Sequence, residues 1–261
     1  MGRLAFARSD VAQALALSPR EAARYLDDPR WFHSLDKAYR GRAEFDPEGR
    51  AAALARWLTD ARFTPEVVRG RREAHWRQAL ERHEQAAGAL GAGDPLAAAI
   101  ALRESLHALT RYLMESWGGR DTSFARFGTR FERTAAGRGE GRLAAGIMAL
   151  YGLSPDGVAR RMALAPHGIR YRHRLSLEAR GLVAEPVTAE QDTRDVLLAF
   201  STMKIRRGRP PFEEWVGLET DPPILAGRLD EYRRLLTRAK AGHELADPRF
   251  PRGRRPAATE T

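Results

Sequence analysis

"GAGDPLAAAIALRESLHALTRYLMESWGG", residues 91–119, decides the fold class. Asp94 offers a side-chain acceptor to the unpaired N–H groups of a helix start, and Pro95 suits the first helical position. From there Leu96, Ile100, Leu106, Leu109, Leu113 and Trp117 mostly recur at three- and four-residue spacing. That pattern predicts one long amphipathic helix from Pro95 to about Trp117. "GAGD" at 91–94 breaks the chain before it, and "GGRD" at 118–121 ends it.

The same start signals recur outward in both directions. Asp28-Pro29, Thr64-Pro65 and Ser154-Pro155 repeat the cap-then-proline pair, and "SPRE" (18–21) and "TAEQ" (188–191) read as capping boxes. Helices are expected near 10–17, 19–27, 30–40, 50–59, 65–90, 141–151, 155–164, 168–183, 189–205 and 225–241. "RLAFARS" (3–9) alternates like a strand, and "RAEF" (42–45) is a candidate second one. The expected fold is therefore mainly α. A small α+β segment at 1–60 precedes a helical, bundle-like domain at 61–245, and a basic, disordered tail follows at 246–261.

The chain has 261 residues, 43% hydrophobic and 30% charged, a profile that supports a packed core rather than a disordered polymer. No apolar run approaches the roughly 20 residues of a membrane span. Cysteine is absent, which removes disulfide and thiolate chemistry and fits a cytoplasmic setting. The net charge of +10 invites a polyanionic partner. That inference is tempered by a coding bias: Lys37, Lys204 and Lys240 are the only lysines, and the other basic residues are arginines. Part of the excess is also local, in "RRGR" (206–209) and "PRFPRGRR" (248–255).

Asp28-Pro29-Arg30 with His33, followed by Asp46-Pro47 with Gly49 and a helix, sets out an ordered pattern across the first 60 residues. In this layout the chain resembles the end of a nucleotidyltransferase domain of the polymerase-beta superfamily, the group that includes kanamycin nucleotidyltransferase. The region that follows resembles the all-helical C-terminal domain of such enzymes. The resemblance implies transfer of a nucleotidyl group from a nucleoside triphosphate to a hydroxyl acceptor. In intact relatives the phosphates sit on a Gly-Ser turn, and an Asp-x-Asp strand binds Mg²⁺. This sequence has no Gly-Ser pair, and Glu219-x-Asp221 falls in a proline-rich loop. The expectation is a truncated or inactive member that holds no cofactor itself. Its N-terminal strands would then pair with a second copy or with a separate catalytic subunit.

Two basic stretches carry the candidate sites. "TSFARFGTRFER" (122–133) sets Phe124, Phe127 and Phe131 beside Arg126, Arg130 and Arg133. The resemblance implies that Arg126 and Arg130, with Arg120 beside them, face the nucleotide phosphates, which a planar guanidinium suits. From the residues alone, a core of rings backed by a solvated charged face is the commoner arrangement and stays open beside it. "HGIRYRHRLSLEAR" (167–180) is the densest basic run. Arg170, Arg172, His173 and Arg174, with Tyr171 among them, could meet nucleic acid or an acidic protein; a charged helix with its leucines turned inward is the competing account. Arg161 with His167, and Arg77 with His83, match the Arg-to-His spacing of HEPN ribonucleases but lack the polar residue after the arginine. No set has metal-ligand spacing. His75, His83 and the Glu104/His107 pair read as surface or core residues.

Overall fold

The computed structural model describes residues 16, 39, 45–119, 126–179, 187–206 and 213–245, with the side chains of 241–245 left out. Apart from Ala16, Tyr39 and Phe45, both expected strands and the first three helices lie outside these residues, as do "SPRE", Asp28-Pro29, Arg120, Phe124 and the basic tail. What is described is mainly α: α1 (Arg50–Ala61), α2 (Pro65–Gly91), α3 (Pro95–Ser116), α4 (Phe127–Gly137), α5 (Gly141–Leu150), α6 (Pro155–Leu164), α7 (His167–Ala179), α8 (Ala189–Arg206), a 3-10 turn η1 (Glu214–Val216) and α9 (Pro222–Leu245). No helix of the described residues is long and apolar enough to cross a membrane.

Local chemistry explains where these helices begin. Asp46 Oδ2 accepts the Ala52 N–H at 2.9 Å, and Gly49 takes a left-handed φ of 68°, so the chain turns sharply into α1. Asp94 Oδ1 accepts the Ala97 N–H at 2.9 Å, and Ser154 Oγ accepts that of Gly157. Thr188 and Gln191 form a reciprocal pair: the Thr188 N–H donates to Gln191 Oε1 at 2.9 Å, and the Gln191 N–H to Thr188 Oγ1 at 3.1 Å. Thr64 behaves differently. Its hydroxyl donates back to the Ala61 carbonyl, so Pro65 opens α2 without a side-chain cap.

α2 and α3 form a long antiparallel hairpin closed by Gly93, whose φ is 79°. α3 is buried on nearly every side, so the other helices gather around it. Leu102, Leu106, Leu109 and Leu113 from α3 meet Phe127 and Phe131 of α4, Ile147 of α5, Leu197 and Leu198 of α8, and Leu225, Leu229 and Tyr232 of α9. Both described rings of the "TSFARFGTRFER" stretch are thus core. Ser105 donates to the Ala79 carbonyl and lies 2.8 Å from the Tyr232 hydroxyl, tying α2, α3 and α9 together.

Two buried arginine clusters hold the periphery. Arg62, just past α1, and Arg71 of α2 both converge on Glu115 of α3, and both are fully buried. Arg62 grips the carboxylate with two N–H groups at 3.0 and 2.6 Å, and Arg71 Nε donates at 2.8 Å. Burial pushes the Glu115 carboxyl up, but Arg62 and Arg71 together outweigh it and hold the group below its usual range. In the second cluster, Arg161 of α6 donates to the carbonyls of Trp215, Tyr151, Gly152 and Val216, at 2.9, 3.0, 3.3 and 2.9 Å. Arg103 of α3 donates to the carbonyls of Tyr151 and Gly217, at 3.2 and 2.7 Å. These oxygens lie at the C-terminal ends of α5 and η1, where backbone dipoles present negative charge. Gly217 must be glycine here: its φ is 72°, and a Cβ would stand 2.6 Å from Arg161 Nε.

Candidate functional site

The two basic stretches meet across one helix. α8 packs between α4 and α7, and its Asp192 and Asp195 are three residues apart, hence on one face. Asp195 caps the start of α4: the Thr129 N–H donates to Oδ1 at 3.0 Å and the Thr129 hydroxyl to Oδ2 at 2.7 Å. Burial raises the Asp195 carboxyl above its usual range, against the lowering effect of the Thr129 bonds and of Arg126. Gly128 is a close approach as well as a helical residue, because a Cβ there would lie 2.9 Å from Asp195 Oδ1.

Asp192 is fully buried and collects donors from both neighbours. Arg126, at the N-cap of α4, donates through Nη1 to Asp192 Oδ1, and Ser176 Oγ of α7 donates to the same oxygen at 2.8 Å. Asp192 Oδ2 has no hydrogen-bond partner among the described residues. The Arg126 side chain keeps 17% exposure against none for Asp192. One of the guanidinium's five N–H groups is thus spent inward while part of the side chain reaches the surface. Arg130 is half-buried one turn along α4 and Arg133 is exposed; Arg120 lies outside the described residues. Beside them, Arg194 of α8 bonds Glu132 of α4 at 2.8 Å, and burial raises the Glu132 carboxyl despite Arg194.

α7 is the most solvent-facing helix of the group. None of its residues is buried, and Leu175 is exposed rather than turned inward. It is held to α8 by Ser176 on Asp192, by His173 Nε2 against Thr193 Oγ1 at 2.7 Å, and by Arg172 over the Phe200 ring at 5.9 Å. Arg170, Arg172 and Arg174 are exposed, with the Arg174 guanidinium 5.2 Å from the Tyr171 ring centre. The structure therefore brings Arg126 and the α7 run to one junction, bridged by Asp192.

Asp192, Asp195, Thr129 and Ser176 were not picked out in the sequence. The only available signal was the three-residue acidic spacing in "AEQDTRD", which ordinarily marks a solvated helix face. Other residues singled out above have plain structural roles. Arg161 is spent on carbonyls, His75 and His83 lie buried in α2, and Glu104 pairs with Arg82 at 3.1 Å. Among the described residues, no group of three or more His, Asp or Glu side chains is placed to hold a metal ion. The Mg²⁺ that the resemblance implies for intact relatives thus finds no fitting donor set among the described residues.

What the junction offers chemically is anion recognition: a guanidinium fixed from behind by a buried carboxylate, next to further arginines. No family model, curated protein or solved structure matches the chain.

Proposed function

We propose that this is a nucleotidyltransferase-like protein whose helical part binds the phosphate end of a nucleotide, with Arg126 and Arg130 as the basic contacts. The observation that carries this reading is the fixing of Arg126 by Asp192. Its guanidinium is oriented before a ligand arrives, which lowers the ordering cost of binding. The chain order gives further support. A sharp turn at Asp46 and Gly49 leads into a helix, and a helical domain follows, as the resemblance implies. The reading is one of binding without transfer, since the sequence has neither a Gly-Ser pair nor an Asp-x-Asp strand.

Titration of the full chain with ATP and GTP tests it. Saturable binding is expected, and Arg130→Gln should weaken it about tenfold or more, the scale of one lost charge-assisted contact. Arg126→Lys keeps a cation against Asp192 but loses the planar fork, so it should weaken binding while the far-ultraviolet circular dichroism stays unchanged. Absence of saturable binding, or unaltered affinity in both variants, rejects the reading.

A second reading has its own observation: α7 has no buried residue and displays three arginines with an exposed tyrosine and leucine. Such a mixed apolar and cationic face suits an acidic protein partner, because apolar contact and charge complementarity act together there. Nucleic acid instead would show log affinity falling steeply and linearly with log salt, a slope that Arg170→Gln with Arg174→Gln would flatten. An acidic partner would lose affinity in the same double variant with a shallower salt dependence. Unchanged binding in the double variant removes α7 from either role.

A further inference from the structure

We propose that the surface where the end of α4, the start of α5 and the second half of α9 meet binds the phosphate backbone of duplex nucleic acid. Arg138, Arg142, Arg234 and Arg238 are the contacts. The surface lies at the other end of α4 from Arg126 and does not rest on the nucleotide reading.

Packing brings these arginines together. Arg138 follows α4 directly, and Arg142 lies in the first turn of α5. Arg238 of α9 reaches Glu140, which stands between those two in the sequence, at 3.1 Å. Further along the same seam, a Cβ on Gly146 of α5 would lie 3.4 Å from the Leu235 side chain of α9, so the two helices run in close contact. Arg142 is one turn before Gly146, and Arg234 is one turn before Arg238, so each borders the seam. All four arginines are exposed.

Their donors face solvent and are mostly uncommitted. Arg142 and Arg234 make no ion pair or hydrogen bond among the described residues. Arg138 Nη2 donates to the Trp117 carbonyl at 2.8 Å and Arg238 Nη2 to Glu140, which leaves each guanidinium further N–H groups. Glu140, the carboxylate that stands among the four, is therefore already paired. Glu231, three residues before Arg234, is half-buried and forms no ion pair with it.

The chemistry of the surface selects among polyanions. No large apolar side chain is exposed on the described residues of α4 or α5, or on α9 beyond Ile224. A protein partner or a membrane calls for apolar contact within the patch, and a single strand calls for exposed rings on which its bases stack. A duplex keeps its bases inside and presents rows of phosphates, which fixed cations alone can hold. The turn that joins Arg138 to Arg142 is also open, since a Cβ on Gly137, Gly139 or Gly141 would meet nothing within 4 Å. A broad polymer can therefore approach it.

The test is fluorescence anisotropy of a labelled DNA duplex of arbitrary sequence, titrated with the full chain between about 50 and 200 mM salt. Log affinity should fall linearly with log salt. Arg142→Gln with Arg234→Gln should weaken binding about tenfold or more at low salt and lower the steepness of that line by about 2, one unit per lost phosphate contact. Arg56→Gln with Arg160→Gln removes the same charge from exposed positions of α1 and α6 and should leave the line nearly unchanged. Because all four replaced side chains are exposed, both variants should keep the circular dichroism of the parent chain. An RNA duplex bound equally well supports recognition of the backbone alone, and a preference for either duplex names the source. Absence of salt-dependent duplex binding overturns the proposal, as do equal losses in the two double variants or tighter binding of the unpaired strand. So does binding to phosphatidylglycerol vesicles or polyglutamate, in place of duplex, that depends on Arg142 and Arg234.

Discussion

Arg103 and Arg161 reach from different helices to one oxygen, the backbone carbonyl of Tyr151, at 3.2 and 3.0 Å. Neither arginine is neutralised by a carboxylate in these contacts. Their partners are carbonyls at two helix ends, so the pair works as a clasp joining α3, α6, η1 and the end of α5.

Replacing Arg161 should open that clasp. Arg161→Met would take this donor from the Trp215, Gly152 and Val216 carbonyls, while Tyr151 keeps Arg103, and unsatisfied buried acceptors cost about 1–3 kcal/mol each before relaxation. A net loss of about 3 kcal/mol is expected, read as a lower urea midpoint. Arg161→Lys should recover little of it, because a compact ammonium cannot span carbonyls that a planar fork reaches.

Glu115 stands between two fully buried guanidinium groups, and removing its charge takes a shared buried carboxylate from both. Glu115→Gln should cost about 3–5 kcal/mol, the range for breaking one side of a buried pair. If equilibrium denaturation instead gives less than about 1 kcal/mol, the trio is not what anchors α1 to the hairpin.

Acid should unfold the protein in a window set first by histidine. Burial, then the charges of Arg111, Arg71 and Arg62, hold His75 well below its ordinary value of 6.5. The unfolded chain therefore binds the proton more readily, and stability present above pH 6.5 is lost as the pH falls. A single such group contributes a slope of up to about 1.4 kcal/mol per pH unit. His83 acts in the same direction, because burial lowers it too. His75→Met should flatten the slope between pH 6.5 and 5; an unchanged profile would show that His75 does not drive it. Below pH 4.5 protonation of Glu115, whose carboxyl is held down by its two arginines, adds a second loss.

Gly128→Ala sets helix propensity against packing. Alanine would gain up to about 1 kcal/mol as a helix former. Its Cβ would stand 2.9 Å from Asp195 Oδ1 and 3.1 Å from Met148 Cε, however, so the cap on α4 must shift. A net loss of about 1–2 kcal/mol is expected. A stabilised variant would mean that Asp195 yields freely.

Helix positions were legible because their causes are local. Asp94-Pro95, Ser154-Pro155 and the Thr188–Gln191 box each act within four residues, and α3, α6 and α8 begin where these signals predict. The rings of Phe127 and Phe131 were legible as core for the same reason of spacing. The junction was not. Arg126 finds Asp192 across 66 positions, and nothing in either residue's neighbourhood tells a buried partner from a solvated charge. The arginine clasp was hidden more deeply, since its acceptors are backbone carbonyls that any sequence supplies. α7 shows the converse: amphipathic spacing predicts inward leucines, yet among the described residues only α8 packs closely along it and Leu175 remains exposed.

The α2–α3 hairpin closes over a three-residue turn, whereas the clasp joins Arg103 to Gly217 across 114 positions. Chain entropy makes the first contact quick and the second slow. The hairpin should therefore form early in folding, with the clasp closing late, after α9 has docked. In the native state the amides around Tyr151 and Val216 should exchange with solvent through partial openings that leave the hairpin intact, so this end of the molecule loosens first.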